Sequence, residues 1–560
     1  MNVDYIVKNA RLFTANVNNA NATCFAVKDG KFVYVGDENG SSDLIGEVRD
    51  AGNKFICPAF MDSHVHITVP IVFMFSPESL FIHCNGKNEC LKIIENFITE
   101  HPGQERYNFD LPIGNLNGEK LTRYDLDAIC SDKEIVIVEG ESHSAWVNSK
   151  VMANNGITDE TPDVAPGLSY YERDENGHKT GYLVEMTEAE ILMGSHTKNI
   201  TDEQIKEALM PLIEFSKKQG ICAYFDAGTP GNPEFSERVY TVMSDMDKKG
   251  ELPIYVDGCY LIYDRKQLKD AIEVLKHLRE KFSEGNVRVN TLKIMMDGTL
   301  AVHTASLVTP YADTGTVGGC LFNTQEIVDL LKKLNENGFD LHVHTVGEGA
   351  IRTILDAVEI AKNELKDSFK VHVTCAHLEL MDDAEMDRFA KLGVTANFSA
   401  WWHSGAGSGG GSTFEDRVAL LGEERAAKKA LRSKSLWDTG AMVCWSSDNV
   451  TFGDFRAWSP YLGMESAITR LNDEKTNINE EEKQYIQLLP ASECMNHEEM
   501  LIGYTINNAR QLNIENIKGS IDIGKDADYL IFDEDMLSVD PRGMSYILPK
   551  EVFFKGIKVN

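Results

Sequence analysis

Residues 60–67 read Phe60-Met61-Asp62-Ser63-His64-Val65-His66-Ile67, and they follow a short apolar run from Asn53 to Ala59. The run predicts a buried strand that ends at the two histidines. Side chains alternate faces along a strand, so His64 and His66 point the same way while Val65 points the other. Two imidazoles aimed at one spot, with Asp62 just upstream, are what a divalent metal needs.

Seven further apolar runs read as strands: 220–226, 253–261, 291–297, 341–346, 371–377, 394–399 and 442–448. Amphipathic helical stretches lie between most of them, such as Gln325 to Asn337 and Asp383 to Leu392. With the His64 strand this makes eight β segments, most followed by a helix. That is the count and order of an α/β fold of the TIM-like (β/α)8 barrel type.

Two intervals exceed a simple connection. Residues 70–200 predict an inserted α/β subdomain. Residues 403–435, opening on His403-Ser-Gly-Ala-Gly-Ser-Gly-Gly-Gly-Ser, predict a mobile loop after the seventh strand. Its Gly-rich run lacks the Lys-Ser/Thr ending of a phosphate-binding loop and reads as a flexible linker. The termini differ from the middle. Residues 5–14 and 24–36, the latter around Asp29-Gly30, predict hairpin strands, and residues 519–533 and 551–559 look alike. A small β-sandwich domain from 1–56 plus 516–560 therefore flanks a barrel domain at 57–515.

Composition excludes several classes. The chain has 560 residues, 42% hydrophobic and 25% charged, ordinary for a globular protein. No apolar run approaches the ~18–20 residues of a membrane span. The formal charge of −32 argues against nucleic acid and anionic membranes as partners. The N-terminus lacks the features of a secretory signal, and the eleven cysteines show no paired spacing. Both point to reduced thiols and a cytoplasmic location.

Active sites of such barrels lie at the C-terminal ends of the strands. His64 and His66 end the first strand, Lys293 lies on the fourth, His344 on the fifth, His377 ends the sixth and Asp448 the eighth. His342, two residues before His344, is open to a core hydrogen-bonding role. Four histidines and a carboxylate reaching one rim from separate strands are hard to explain as packing.

The chain resembles the metal-dependent amidohydrolase superfamily, and within it the YtcJ-like (amidohydrolase-3) branch. The resemblance runs nearly end to end. Its motifs are Asp62-Ser-His-Val-His, Leu121-Thr-Arg-Tyr-Asp-Leu-Asp, Ser142-His-Ser-Ala-Trp-Val-Asn-Ser and Gly181-Tyr-Leu-Val-Glu. They continue with Lys293-Ile-Met-Met-Asp-Gly-Thr-Leu, His344-Thr-Val-Gly-Glu-Gly-Ala, Ser446-Ser-Asp-Asn and Gly519-Ser-Ile-Asp-Ile-Gly-Lys-Asp-Ala-Asp. Three departures stand out: Pro58-Ala-Phe for Pro-Gly-Phe, Glu348 for a common Asp, and Ala376-His-Leu-Glu379 for a familiar Glu-His. The last two bear on the shape of the pocket.

The resemblance implies His64 and His66 on one metal, His344 and His377 on a second, and a CO2-derived carbamate on Lys293 bridging both. Whether one ion binds or two stays open; zinc is the default for a nitrogen-rich set, with Mn, Fe or Co as alternatives. A water bound to such an ion falls in pKa from ~15.7 to ~7 and serves as a metal-activated hydroxide. Asp448, also a ligand candidate, takes its proton and passes it to the leaving nitrogen. His143 is placed over the mouth as a second catalytic group. Asp297, Glu185, Trp401 and Trp402 are placed at the substrate, with His403 beside the tryptophans and Gly405–Gly411 closing over it. The expected reaction is hydrolysis of a non-peptide C–N bond (amide, N-acyl or N-formyl) in a small molecule, with ester or lactone hydrolysis, or a non-catalytic scaffold, as alternatives. The resemblance also implies a homodimer, which composition does not show.

Overall fold

The computed structural model describes residues 1–75, 79–112, 115–139, 143–185, 187, 191, 197–229, 232–404, 414–451, 455–471 and 487–560. Eight parallel strands form its central sheet: β1 (Phe60–Val65), β2 (Ile221–Asp226), β3 (Tyr255–Ile262), β4 (Val287–Met295), β5 (Asp340–Thr345), β6 (Val373–His377), β7 (Thr395–Ser399) and β8 (Val443–Ser446). They pair in sequence order. All of β1, β2, β6, β7 and β8 is buried, as expected where helices cover a parallel sheet. The ends meet where Asp448 N donates to His64 O at 2.8 Å and His66 N to Asn449 O at 3.1 Å, so the sheet curls into a nearly closed barrel.

Register decides which polar residues share a layer. Lys293 lies opposite His342 and Met295 opposite His344. Thr345 lies opposite His377, and Ser399 opposite Ser446. With alternation at period two, Lys293, His342 and His344 all face the barrel axis.

The expected helices form. One spans Thr324–Asn337, opened by Asn323 and Glu326 in a reciprocal cap and closed by Gly338 at φ 66°, a conformation glycine adopts without strain. Another spans Asp383–Leu392.

Between β1 and β2 lies a six-stranded sheet running from Tyr170–Arg173 at one edge to Ser79–Phe81 at the other. Helices Lys87–Glu100, Arg123–Ile129 and Ser149–Asn154 belong to the same region, which is the α/β insertion. The terminal segments make a four-stranded sheet from residues 2–50 and a five-stranded sheet joining Phe55–Pro58 to Tyr529–Phe532 and Glu551–Phe554. Phe25, Phe32, Tyr529 and Phe553 fill the space between these sheets, with Tyr529 stacked on Phe553 at 4.5 Å.

The segment after β7 corrects one expectation. Residues 403–435 are not simply a loop, because Phe414–Leu421, Glu423–Lys428 and Ser433–Asp438 are helical. Leu420 and Leu421 bury themselves against Leu300, Leu307, Tyr311, Val346 and Leu380, which supplies the hydrophobic contact a linker lacks. The Gly405–Gly411 closure falls outside the described residues. No helix among the described residues is long and apolar enough to cross a membrane.

Candidate metal centre

The polar ends of β1 and β8 are braced before they are functional. Asp62 does not face an ion: its Oδ1 accepts from the backbone N of His64 at 3.3 Å and of Ser447 at 3.0 Å. That bridge holds the two strand ends together. His66 Nδ1 lies 2.7 Å from the carbonyl of Gly228, so the proton sits on Nδ1 and the Nε2 lone pair is left over. His64 Nδ1 lies 2.9 Å from His342 Nε2, which fixes the His64 ring in the same sense. Both Nε2 atoms turn toward Asp448 Oδ1, at 3.4 Å from His64 and 3.6 Å from His66. Ligand atoms of His64, His66 and Asp448 all lie within 4.8 Å of one another.

The other predicted residues gather on the same spot. His377 Nδ1 is 3.3 Å from Asp448 Oδ2, and the His377 ring is 4.8 Å from that of His64 and 4.4 Å from that of His344. Lys293 Nζ is 3.3 Å from His64 Nε2. His344 Nε2 approaches Gly298 O at 3.4 Å. All five side chains of His64, Lys293, His342, His344 and His377 are buried.

Both ring nitrogens of His377 are sealed from solvent and make no hydrogen bond. Leaving such a group unsatisfied costs about 1–3 kcal/mol. A divalent ion among three or four imidazoles and a carboxylate removes that cost, and the nitrogen and oxygen donors suit zinc or a similar ion. The residues therefore fit a metal.

Electrostatics favours ligand-competent forms. Burial, reinforced by Lys293, pushes His66 down to about 4 and holds His64, His344 and His377 below the ordinary imidazole value, so all are neutral at pH 7. For His377 the second cause is His344. Burial pushes Asp448 up, opposed by Lys293 and His143, and pulls Lys293 down, opposed by Asp448. The backbone is strained here as well. Glu185, His377, Leu378 and Asp448 have φ between 51° and 79°, where side-chain-bearing residues cost about 1–3 kcal/mol.

The rim gives a mixed result for the remaining expectations. His143 is three-quarters buried, bonds Glu185 Oε2 through Nδ1 at 2.7 Å, and its ring lies 6.3 Å from that of His344. Glu185 is buried, and its Oε1 accepts from Thr304 Oγ1 at 2.5 Å and Thr299 N at 3.2 Å, tying the insertion to the loop after β4. Trp402 stacks on His377 at 5.4 Å. Trp401 donates its indole N–H to Ser447 O at 2.5 Å and so braces the end of β8.

Two expectations need correction. Asp297 accepts from the backbone N–H groups of Ser306, Val346 and Gly347, so it locks two loops together instead of offering an oxygen to substrate. His403 is fully buried beside Phe398 and Trp445, with Nε2 3.1 Å from Ser433 Oγ, and belongs to the core. Sequence reasoning left His342 undecided and noted the motif that ends in Glu379 without giving that residue a role. The signal for His342 was its even spacing from His344; for Glu379 it was the odd motif at the end of β6.

The sequence model of the amidohydrolase family matches residues 47–559. The chain is 25% identical over 511 residues to the putative amidohydrolase YtcJ of Bacillus subtilis, covering 89% of this chain and 88% of that protein. It is 24% identical over 550 residues to an N-substituted formamide deformylase of Arthrobacter pascens, covering 95% and 94%. Among solved structures, an uncharacterized metal-dependent hydrolase from Pyrococcus horikoshii OT3 superposes with a TM-score of 0.65 at 21% identity, covering 96% of this chain and 99% of that one. The last likeness is one of fold.

Proposed function

Because the chain belongs to the amidohydrolase family, we propose that it is a metal-dependent hydrolase cleaving a non-peptide C–N bond, amide, N-acyl or N-formyl, in a small molecule. The observation that carries this reading is the convergence of one ring nitrogen each from His64 and His66 with a carboxylate oxygen of Asp448, all within 4.8 Å of one another. Likeness to a formamide deformylase over nearly the whole chain supports the choice of bond.

His64, His66 and Asp448 would hold one divalent ion, with zinc the first candidate. His344, His377 and a carbamate on Lys293 would complete the set for a second. Burial lowers the Lys293 pKa, which favours the free amine that reacts with CO2. A bound ion supplies Lewis acidity and brings a water within reach of deprotonation at neutral pH.

The chain's own residues do the rest. Asp448 takes the proton of the attacking water and returns it to the leaving nitrogen, a role suited to a carboxylate whose pKa burial has moved toward neutrality. His143, oriented by Glu185, donates toward the scissile carbonyl. Trp402 gives the substrate an apolar wall. The free cysteines support a reducing, cytoplasmic setting.

The test is to load the protein with zinc or manganese and assay N-formyl and N-acyl amines against matched esters. Amide kcat/KM at least about tenfold above ester is the expected result. Absence of amide turnover with both metals overturns the proposal.

A further inference from the structure

Glu379, a buried carboxylate at the rim, has no part in that reaction. It sits two residues past His377, after two successive left-handed residues, His377 at φ 79° and Leu378 at φ 52°. Main-chain bonds hold this turn: Leu378 N to Thr345 O at 2.9 Å, Leu380 N to Val346 O at 3.0 Å, and Leu431 N to Glu379 O at 3.0 Å. Leu380 packs against Leu420 and Leu421, which brings buried Arg417 of the same helix over the end of β6.

Glu379 is only 6% exposed. Among the described residues its carboxylate makes no hydrogen bond and no ion pair. It lies within electrostatic reach of Arg417 and His143, and Asp448 in turn senses it. A largely buried carboxylate with no protein donor keeps its acceptor capacity for a group from outside the fold, a water, an ion or a ligand. The strained turn that precedes it shows that local backbone preference did not choose its position.

We propose that Glu379 is a specificity-determining residue that accepts a hydrogen bond from an ammonium group on the substrate. The proposal deepens the C–N hydrolase reading and rests on it for the reaction, though not for the binding. A hydrogen bond with an ionised partner is about twice as strong as one between neutral groups, and an ammonium adds the attraction of opposite charges. The net charge of −32 raises the local concentration of cations and disfavours anionic substrates. Burial pushes the Glu379 carboxyl up to about 7, opposed by Arg417 and His143; Arg417 forms no ion pair with it, which leaves the carboxylate to a third group.

The probes are two amides of one shape, N-acetyl-1,5-diaminopentane and N-hexylacetamide, which exchange a terminal ammonium for a methyl. Binding of each to the metal-free protein is measured by calorimetry, and KM with the zinc-loaded enzyme. The wild-type protein is expected to favour the ammonium compound by about tenfold in both, a preference worth about 1.4 kcal/mol. Glu379→Gln is expected to bring the preference within about twofold, and Glu379→Asp to keep part of it. Equal binding by the wild-type protein, or an undiminished preference in Glu379→Gln, overturns the proposal. Failure to hydrolyse either amide would count against the C–N reading alone, because the calorimetric preference still decides the role of Glu379.

Discussion

His342 Nε2 stands 2.9 Å from His64 Nδ1, and the His342 ring stacks on Phe225 at 4.5 Å with its plane tilted by 17°. One imidazole thus orients another: His64 donates from Nδ1, and its Nε2 is left to face Asp448. Partners of this kind hold a ligand's tautomer and raise its basicity.

Replacing that acceptor tests the arrangement. His342→Phe keeps an aromatic ring against Phe225 but removes the acceptor from His64. Metal affinity should fall about 10–100-fold, read by competition with a chelator. Unchanged affinity would show that His64 is oriented by other contacts.

Asp448 is the proposed proton carrier. Asp448→Asn keeps the shape but cannot take a proton, so kcat should drop about 10²–10⁴-fold while the fold persists. Turnover near the wild-type level would remove Asp448 from the mechanism.

Metal affinity should depend on pH in a telling range. His66 loses its proton at about 4, so imidazole protonation does not compete above pH 5. Asp448 is raised above the ordinary carboxylate value, so it takes up a proton as pH falls below neutrality and then no longer binds a cation. Affinity should therefore decline from pH 7 to pH 5, about tenfold per unit where one proton is displaced, as followed by titration calorimetry. Flat affinity across that range would mean that Asp448 is not a ligand.

Lys293 offers a mass test. A carbamate adds about 44 Da under native conditions and is lost on acidification, since the free amine is the form that reacts. Lys293→Met should abolish the addition and weaken metal binding. A native mass without the addition would leave Lys293 as an uncarboxylated buried amine.

Away from the site, Lys518 is buried between Asp526, at 3.0 Å, and Asp528. Lys518→Met removes the cation shared by two buried carboxylates, leaving Asp526 with Lys31 and Asp528 with the Lys555 backbone N–H, and should destabilise the protein by about 3 kcal/mol. Thermal unfolding would show it, and a melting temperature unchanged from wild type would refute it.

The barrel was legible because its strands are short apolar runs separated by amphipathic helices, a local pattern. The helix at Thr324–Asn337 was legible for the same reason, from the amphipathic stretch Gln325 to Asn337. The helices after β7 were hidden behind a Gly-rich opening, because their apolar side chains find partners in distant residues such as Leu307, Val346 and Leu380. Asp297 looked like a pocket residue because it follows Lys293, yet its partners are the amides of residues 306, 346 and 347. A sequence neighbour cannot reveal such partners.

Chain order alone determined that His64, His66, His344, His377 and Asp448 end barrel strands, since alternation and apolar runs are properties of consecutive residues. Tertiary structure decided which ring nitrogen each histidine presents, that Asp62 braces and Asp448 faces the imidazoles, and that His143 from the insertion meets Glu185. Those outcomes depend on donors and acceptors brought together from distant stretches of chain, where burial removes water as the alternative partner and makes geometry the arbiter.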